Sequence, residues 1–266
     1  MIREISSFQN DWVKHIKVLQ EKNRARKKEG VFLVEGLIEI KLCIEAGYRI
    51  RELAFCKELI SETQLSKRIG IQLDEIANIY VLSSAVFESL AYRGGVENAI
   101  AIVEYPSIKP TLNDLKSDGL YLVAESVEKP GNLGAILRTA DASKMDAIIV
   151  CDELLDVFHP NVIRNSLGCV FTVPVIICSS SDAIDMFKKK NIQIFSTFMD
   201  ESISLFDAKL TGGVALVVGT EHQGLSDTWR NVGQNINIPM LGYVDSLNVS
   251  VASAVLMYEA RRQRIK

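Results

Sequence analysis

The chain is short of the residues that build metal and redox sites. It has five cysteines in 266 residues (Cys43, Cys56, Cys151, Cys169 and Cys178), an odd number, widely spaced and with no Cys-x-x-Cys pair. Its three histidines, His15, His159 and His222, stand apart from one another and from the cysteines. This excludes a disulfide framework and a zinc finger or ribbon, and predicts reduced, mostly buried thiols in a cytoplasmic protein with no bound metal. No apolar run approaches the roughly 18 to 20 residues of a membrane span, and the N-terminal MIREISSFQNDWVK has no apolar centre of a signal peptide. The expectation is a soluble, unexported chain with no membrane partner. A strong charge of one sign is also missing. The net charge of −3 argues against a protein that coats nucleic acid nonspecifically. There is no Gly-x-Ser-x-Gly elbow for a serine hydrolase, no Gly-x-Gly-x-x-Gly fingerprint and no Gly-Lys-Ser/Thr phosphate loop.

With 48% hydrophobic and 24% charged residues the composition is that of a globular protein. The length suits about two domains and a full core without staples. Charge is unevenly placed. Lys14, Lys17, Lys22, Arg24, Arg26, Lys27 and Lys28 fall in one stretch whose only acid before Glu29 is Glu21, and Arg261, Arg262, Arg264 and Lys266 close the chain. Solvated helix faces and a frayed tail are one reading of these clusters; contact with nucleic-acid phosphates is the other.

Along the first hundred residues the pattern predicts a helix over 10–25 and a strand over 31–36. A helix ending at Gly47 follows, then strands near 50–55, 80–82 and 99–103 with helices near 59–69 and 84–91, a compact α/β unit. Two prolines and polar residues over 105–119 mark a linker. From Leu120 on, YLVAESV, DAIIVC, FTVPVIIC, IQIFSTF and VALVVG are continuously apolar, as in strands buried on both faces of a parallel sheet, each followed by a helical segment. The domain limits read 1–104, 105–118 and 119–266.

Three segments sit at strand-to-loop transitions, where open parallel sheets bind ligands. GNLGAILRTAD (Gly131–Asp141) starts a helix that carries Arg138. Asn132 there reads either as a plain N-cap or as part of a helix N-terminus that receives an anionic group. GTEHQGLS (Gly219–Ser226) places Gly219 and Gly224 in a turn, where glycine lets a flat ligand approach the backbone. Glu221 and His222 are otherwise solvated turn residues, and a helix is expected from near Ser226. IPMLGYVDSLNVSVAS (Ile238–Ser253) ends a short strand at Ile238–Met240 and, with Ser246 as N-cap, enters the last helix.

In order and spacing these segments resemble the three motifs of the SpoU (TrmH-like) family of RNA ribose 2′-O-methyltransferases, of the SPOUT class. The stretch RKKEGVFLVEG (Arg26–Gly36) resembles the entry to the substrate-binding domain that many members carry, a fold akin to an RNA-binding ribosomal protein. The resemblance implies an α/β fold: a parallel-sheet SPOUT domain with a C-terminal trefoil knot, a feature general topology rules exclude, behind a small α/β RNA-binding domain. It implies S-adenosylmethionine as cofactor and RNA as partner, ribosomal more than transfer RNA, and a homodimer through the C-terminal domain. By the same resemblance Asn132, Arg138, Glu221, Ser246 and Asn248 match the catalytic positions. Gly219, Thr220 and Gly224 match the turn that lines the methyl-donor pocket, and Ile238, Met240 and Leu247 the backbone groups that hold the donor. Lys22, Arg24, Arg26, Lys27 and Lys28 are the expected RNA contacts. An arginine guanidinium holds its proton, which favours an electrostatic role for Arg138 over that of a base, the role proposed for the family. The alternatives are a SPOUT enzyme methylating a base nitrogen and a noncatalytic RNA-binding protein that keeps the fold.

Overall fold

A computed structural model describes residues 2–91, 99–220 and 223–265; Glu221 and His222 lie outside the described residues. The chain divides into two compact units, Met1–Ile108 with Asp156–Thr172, and Lys109–Leu155 with Val173–Lys266.

The first unit runs β1 (Ile2–Ile5), α1 (Asp11–Glu21), α2 (Asn23–Glu29), β2 (Val31–Glu35), α3 (Leu37–Glu45), β3 (Ile50–Cys56), α4 (Glu62–Ile69), β4 (Asn78–Leu82), α5 (Ser84–Leu90) and β5 (Ala99–Glu104). The sheet order is β1-β4-β3-β5-β2, with β1, β4 and β3 parallel and β5 antiparallel to both β3 and β2. The N-terminal strand β1 was not expected from its sequence, because three of its four residues are exposed and leave no apolar run. In α1 the buried Trp12, Val13, Ile16 and Leu19 recur at helical spacing, and the Asn10 side chain caps the helix by accepting from Trp12 N at 2.9 Å.

The single helix expected over 10–25 is two, because Lys22 is extended (φ −111°, ψ 101°). The break frees carbonyls at the end of α1, and Arg26 on α2 takes them: its Nη1 donates to Leu19 O at 2.8 Å. The same side chain, fully buried, donates through Nε and Nη2 to Asp156 Oδ2 at 3.3 and 3.0 Å. The RNA contact expected of Arg26 is therefore overturned; its charge is spent inside the fold. Lys22, Arg24, Lys27 and Lys28 are exposed.

Asp156 belongs to a segment, Asp156–Thr172, that lies between two strands of the second unit in sequence but packs with the first. It carries α7 (Pro160–Asn165) and a 3₁₀ turn, Cys169–Phe171. Phe158 stacks on Phe32 at 4.6 Å between ring centroids and Phe171 meets Tyr48 at 5.2 Å, so the segment is held by an aromatic cluster around one ion pair. The Phe171 end of the expected strand FTVPVIIC is lost to that turn.

The second unit is a seven-stranded parallel sheet in the order β10-β12-β9-β11-β6-β7-β8. Its elements are β6 (Leu120–Glu125), α6 (Pro130–Ala142), β7 (Ala147–Cys151), β8 (Val175–Cys178), α8 (Ser180–Lys189), β9 (Gln193–Thr197), β10 (Ile203–Ser204), β11 (Val214–Val218), β12 (Gln234–Asn237) and α9 (Val249–Arg264). Every residue of β6, β7 and β11 is buried, the two-sided cover that their continuous apolar runs predict. Strand does not always give way to helix. β9 leads to β10, and β11 leads through a loop to a 3₁₀ turn, Asp227–Trp229, where a helix near Ser226 was expected.

The last helix is tied down by the arginines read above as a frayed basic tail. Arg261 donates to Ser143 O at 2.7 Å and to Lys144 O, Arg264 to Leu210 O at 3.2 Å and to Gly212 O, and Arg262 pairs with Glu259 at 2.8 Å. The bonds of Arg261 and Arg264 satisfy loop carbonyls, the Arg262 pair lies within α9, and Arg261 holds the helix at the end of α6, where Ser143 Oγ meets Met257 Sδ at 3.5 Å.

Candidate active site

The first motif leaves β6 at Glu125 and enters α6 at Pro130, a proline at the first helical position where its missing N–H costs nothing. The cap residue is Lys129, so Asn132 is not the cap but sits in the first turn. Its Oδ1 accepts from Asn248 Nδ2 at 3.2 Å. Arg138 lies two turns further on, exposed and with no hydrogen-bond or ion-pair partner among the described residues. Six residues of α-helix displace it by about 9 Å along the axis and about a third of a turn from Asn132, so it does not sit over the helix start.

The second motif is a closed turn beyond β11. Thr220 N donates to Gly224 O at 2.9 Å, Gly224 N to Thr220 O at 3.2 Å, and Gln223 N to Thr220 Oγ1 at 3.0 Å. Gly224 is left-handed at φ +68°. A Cβ on Gly219 would lie 2.1 Å from Gly224 O and 2.4 Å from Leu225 N. Glycine at 219 is thus required by the returning backbone of its own turn, a different reason from the close ligand approach that the sequence suggested.

In the third motif the cap of α9 is Asn248, not Ser246. Asn248 Oδ1 accepts from Ser250 N at 3.0 Å and Ser250 Oγ at 2.6 Å, while its Nδ2 makes the bond to Asn132. One side chain therefore caps the last helix and joins the third motif to the first. Ser246 Oγ donates to Asp245 Oδ1 at 2.9 Å in the exposed loop before it.

The second and third motifs meet along a cleft of about 450 Å³, in the size range of small-ligand sites. Gly219, Thr220, Gly224, Ile238, Met240 and Leu247 all line it, with Ser246, Asp245 and Asn237. Thr197 at the end of β9, Phe198 and Met199 after it, and Val249 and Ala252 of α9 also line it. Apolar side chains thus face backbone amides and a few polar groups, a lining suited to a flat, partly polar molecule. Asn132, Asn248 and Arg138 are not among the lining residues, and Glu221 is outside the described ones.

One residue of this region escaped the sequence reading. Glu125, at the carboxyl end of β6, is buried and accepts from Ser226 N at 2.8 Å, Ser226 Oγ at 2.6 Å and Trp229 Nε1 at 3.1 Å. The only signal for it was an acid terminating a strand that is otherwise wholly apolar.

A doubly covered parallel sheet with a cleft formed by loops at its strand ends is shared by many α/β proteins, and solved structures narrow it to SpoU methyltransferases. A crystal structure of an RNA 2′-O ribose methyltransferase is 34% identical, with a TM-score of 0.86 over 98% of this chain and 99% of that one. The SpoU methyltransferase AviRb from Streptomyces viridochromogenes, solved with the cofactor AdoMet, is 28% identical with a TM-score of 0.83 over 96% of this chain and 99% of its own. The model of the SpoU rRNA Methylase family matches residues 119–258 and that of the MRM3-like substrate binding domain residues 10–101. This chain belongs to the SpoU rRNA methylase family. Among curated relatives, the 23S rRNA (guanosine(2553)-2'-O)-methyltransferase RlmP of Bacillus subtilis is 27% identical over 98% of this chain and all of its own length.

Proposed function

We propose that this protein transfers a methyl group from S-adenosylmethionine to a ribose 2′-hydroxyl in ribosomal RNA. The observation that carries the reading is the convergence of the second and third motifs on one cleft, tied to the first motif by the Asn132–Asn248 bond. Relatives named as 23S rRNA 2′-O-methyltransferases and an AdoMet-bound neighbour support both substrate and cofactor.

The residues present fit the cofactor. Ile238, Met240 and Leu247 offer apolar walls to a purine, and the backbones of Gly219, Thr220 and Gly224 offer polar edges. When bound, S-adenosylmethionine supplies an electrophilic methyl carbon on a sulfonium. The chain's part is alignment and charge. In-line transfer requires the ribose oxygen to be held at attack distance, and a weakly acidic hydroxyl must shed its proton as it reacts. Arg138, an exposed cation with no partner among the described residues, is assigned to the phosphate and the developing charge of that oxygen. Asn132 and Asn248 fix each other's orientation, and Ser246 and Glu221 are assigned to the remaining polar contacts.

The first domain, 1–104, with linker 105–118 before the methyltransferase domain 119–266, is assigned to RNA. Exposed Lys22, Arg24, Lys27 and Lys28 supply the phosphate contacts. A homodimer through the second domain is supported by Val251, Val255 and Tyr258, spaced i, i+4, i+7 on α9 and exposed or half-exposed. Leu241 at 97% and Tyr243 at 109% exposure are further exposed apolar side chains in the loop before that helix. The C-terminal trefoil knot belongs to the same proposal. It is supported by the return of the C-terminal helix α9 onto β6 and α6, the first elements of the domain, and onto β11.

Incubating the protein with tritiated S-adenosylmethionine and separate ribosomal and transfer RNA tests the reading, and mapping 2′-O-methyl sites with and without the gene identifies the nucleotide. Label in ribosomal RNA is expected. Label in transfer RNA would redirect the substrate, and cofactor binding without transfer to either would leave an RNA-binding protein.

A further inference from the structure

We infer that Glu125 is a positioning residue for the methyl-donor cleft, holding the exit of the Gly219–Ser226 turn through a buried carboxylate. The inference rests on the proposal that this cleft takes S-adenosylmethionine.

The turn has two stems. Its entry is continuous with β11, which is buried and paired on both sides by β9 and β6. Its exit, from Gly224 to Ser226, belongs to no strand, and the 3₁₀ turn that follows is only three residues long. What fixes that exit is Glu125. Ser226 gives it both its backbone N–H and its hydroxyl, and the fully buried Trp229 gives its indole N–H. Gly224, two residues before Ser226, lines the cleft and closes the turn on Thr220.

A carboxylate is needed here rather than any acceptor. Three donors converge on its two oxygens, and no cation pairs with it among the described residues. Ser180 Oγ lies 3.2 Å from Glu125 Oε1, but its one hydrogen goes to Asp152 Oδ2 at 2.6 Å, leaving Ser180 to share the Trp229 N–H at 3.1 Å. Ser180 is also the first residue of α8, which brings the positive end of that helix near the buried charge. Glutamine has the same shape, but whichever way its amide turns, an NH₂ meets either the Ser226 N–H or the pair of donors on the other oxygen. At least one charge-assisted bond is lost and a donor is set against a donor. The exit stem is then free to move, and Gly224 with it.

The test compares Glu125→Gln with the parent by calorimetry with S-adenosylmethionine and by steady-state methyl transfer, with thermal unfolding as the fold control. The expected result for Glu125→Gln is a dissociation constant, and a KM for the cofactor, raised about tenfold or more. The kcat at saturating cofactor should stay within about twofold and the KM for RNA should be unchanged, a split that general loosening of the fold would not give. Ser226→Ala and Trp229→Phe each remove one donor and should weaken cofactor binding in the same direction by a smaller factor. A folded Glu125→Gln protein with the parent's cofactor affinity overturns the inference. If Glu125→Gln does not fold, parental affinity in both Ser226→Ala and Trp229→Phe overturns it. A parent protein that binds no S-adenosylmethionine overturns the proposed function and this inference together, whereas parental binding unchanged in all three variants sinks this inference alone.

Discussion

At the scale of single residues, the site separates side chains that are held from one that is not. Asn132, Asn248, Thr220 and Glu125 are fixed by named bonds, whereas Arg138 is exposed and unpaired among the described residues, as a group awaiting a substrate phosphate would be. Arg138→Ala should therefore leave thermal stability and S-adenosylmethionine affinity nearly intact while methyl transfer falls by at least about 10²-fold, the scale for a positioned electrostatic group. Calorimetry and tritium transfer on the same preparation check both halves, and parental turnover would end the catalytic assignment. Gly219→Val should behave oppositely. Its first side-chain carbon would overlap Gly224 backbone, so the turn must open, and cofactor binding should be lost before anything else. Arg26 shows the other fate of a basic residue. Arg26→Met leaves Asp156 buried without its counter-ion and frees the end of α1, a loss of about 3–5 kcal/mol, so thermal unfolding should fall steeply in temperature. If it left stability untouched and weakened RNA binding instead, the buried ion pair would not be what the residue serves.

At the scale of elements, α2 is an electrostatic surface around a buried core contact. Replacing Lys22, Arg24 and Lys28 with alanine spares Arg26 and should weaken RNA binding, reducing the slope of log affinity against log salt by about one unit per lost phosphate contact. Cofactor affinity should not move, and an unchanged RNA affinity would mean a merely solvated face. The sequence could show the density of charge over 14–28 but not which cation turns inward, because Arg26's partner lies 130 residues away in a segment whose own sequence reads as part of the other domain. Buried runs such as β6 and β11 were legible because two-sided burial writes itself as continuous apolar residues. The short edge strands β1 and β10, largely exposed, carry no such mark. All six residues expected at the donor pocket line one cleft, since motifs record backbone turns well. Caps were misplaced at Asn132 and Ser246, because choosing among neighbouring polar residues needs the backbone angles. The segment with α7 adds a pH signature. His159 Nδ1 caps α7 by accepting from Asn161 N at 3.1 Å, and burial first, then the Arg26 cation, lowers its pKa. The neutral ring is the folded form, so its contribution is complete above the ordinary imidazole value near 6.5. It is lost as pH falls below that value toward the depressed one. His159→Asn keeps a cap without a titration and should flatten the change in melting temperature below pH 6.5; an unaltered pH dependence would rule the cap out as its source.

At the scale of the whole molecule, the proposed catalytic group and the proposed donor cleft need not come from the same chain. Arg138 is absent from the residues lining the cleft, and the stripe Val251, Val255 and Tyr258 begins only three residues beyond Asn248, which caps the same helix. A twofold contact along α9 would bury that apolar stripe and bring the sites of both protomers to the interface, as symmetric dimers allow. Light scattering at micromolar concentration should return twice the chain mass. The sharper consequence is complementation. Co-expressed Arg138→Ala and Gly219→Val chains form mixed dimers in which one cleft is intact on the first chain and one arginine is intact on the second. If the arginine serves the partner's cleft, each mixed dimer holds one complete site, and with about half the dimers mixed the population should recover about a quarter of the parent rate. If each chain completes its own site, every chain in the mixture lacks either its arginine or its cleft. The rate then stays at the level of the separate variants, which would refute the shared site while leaving each single-residue assignment standing.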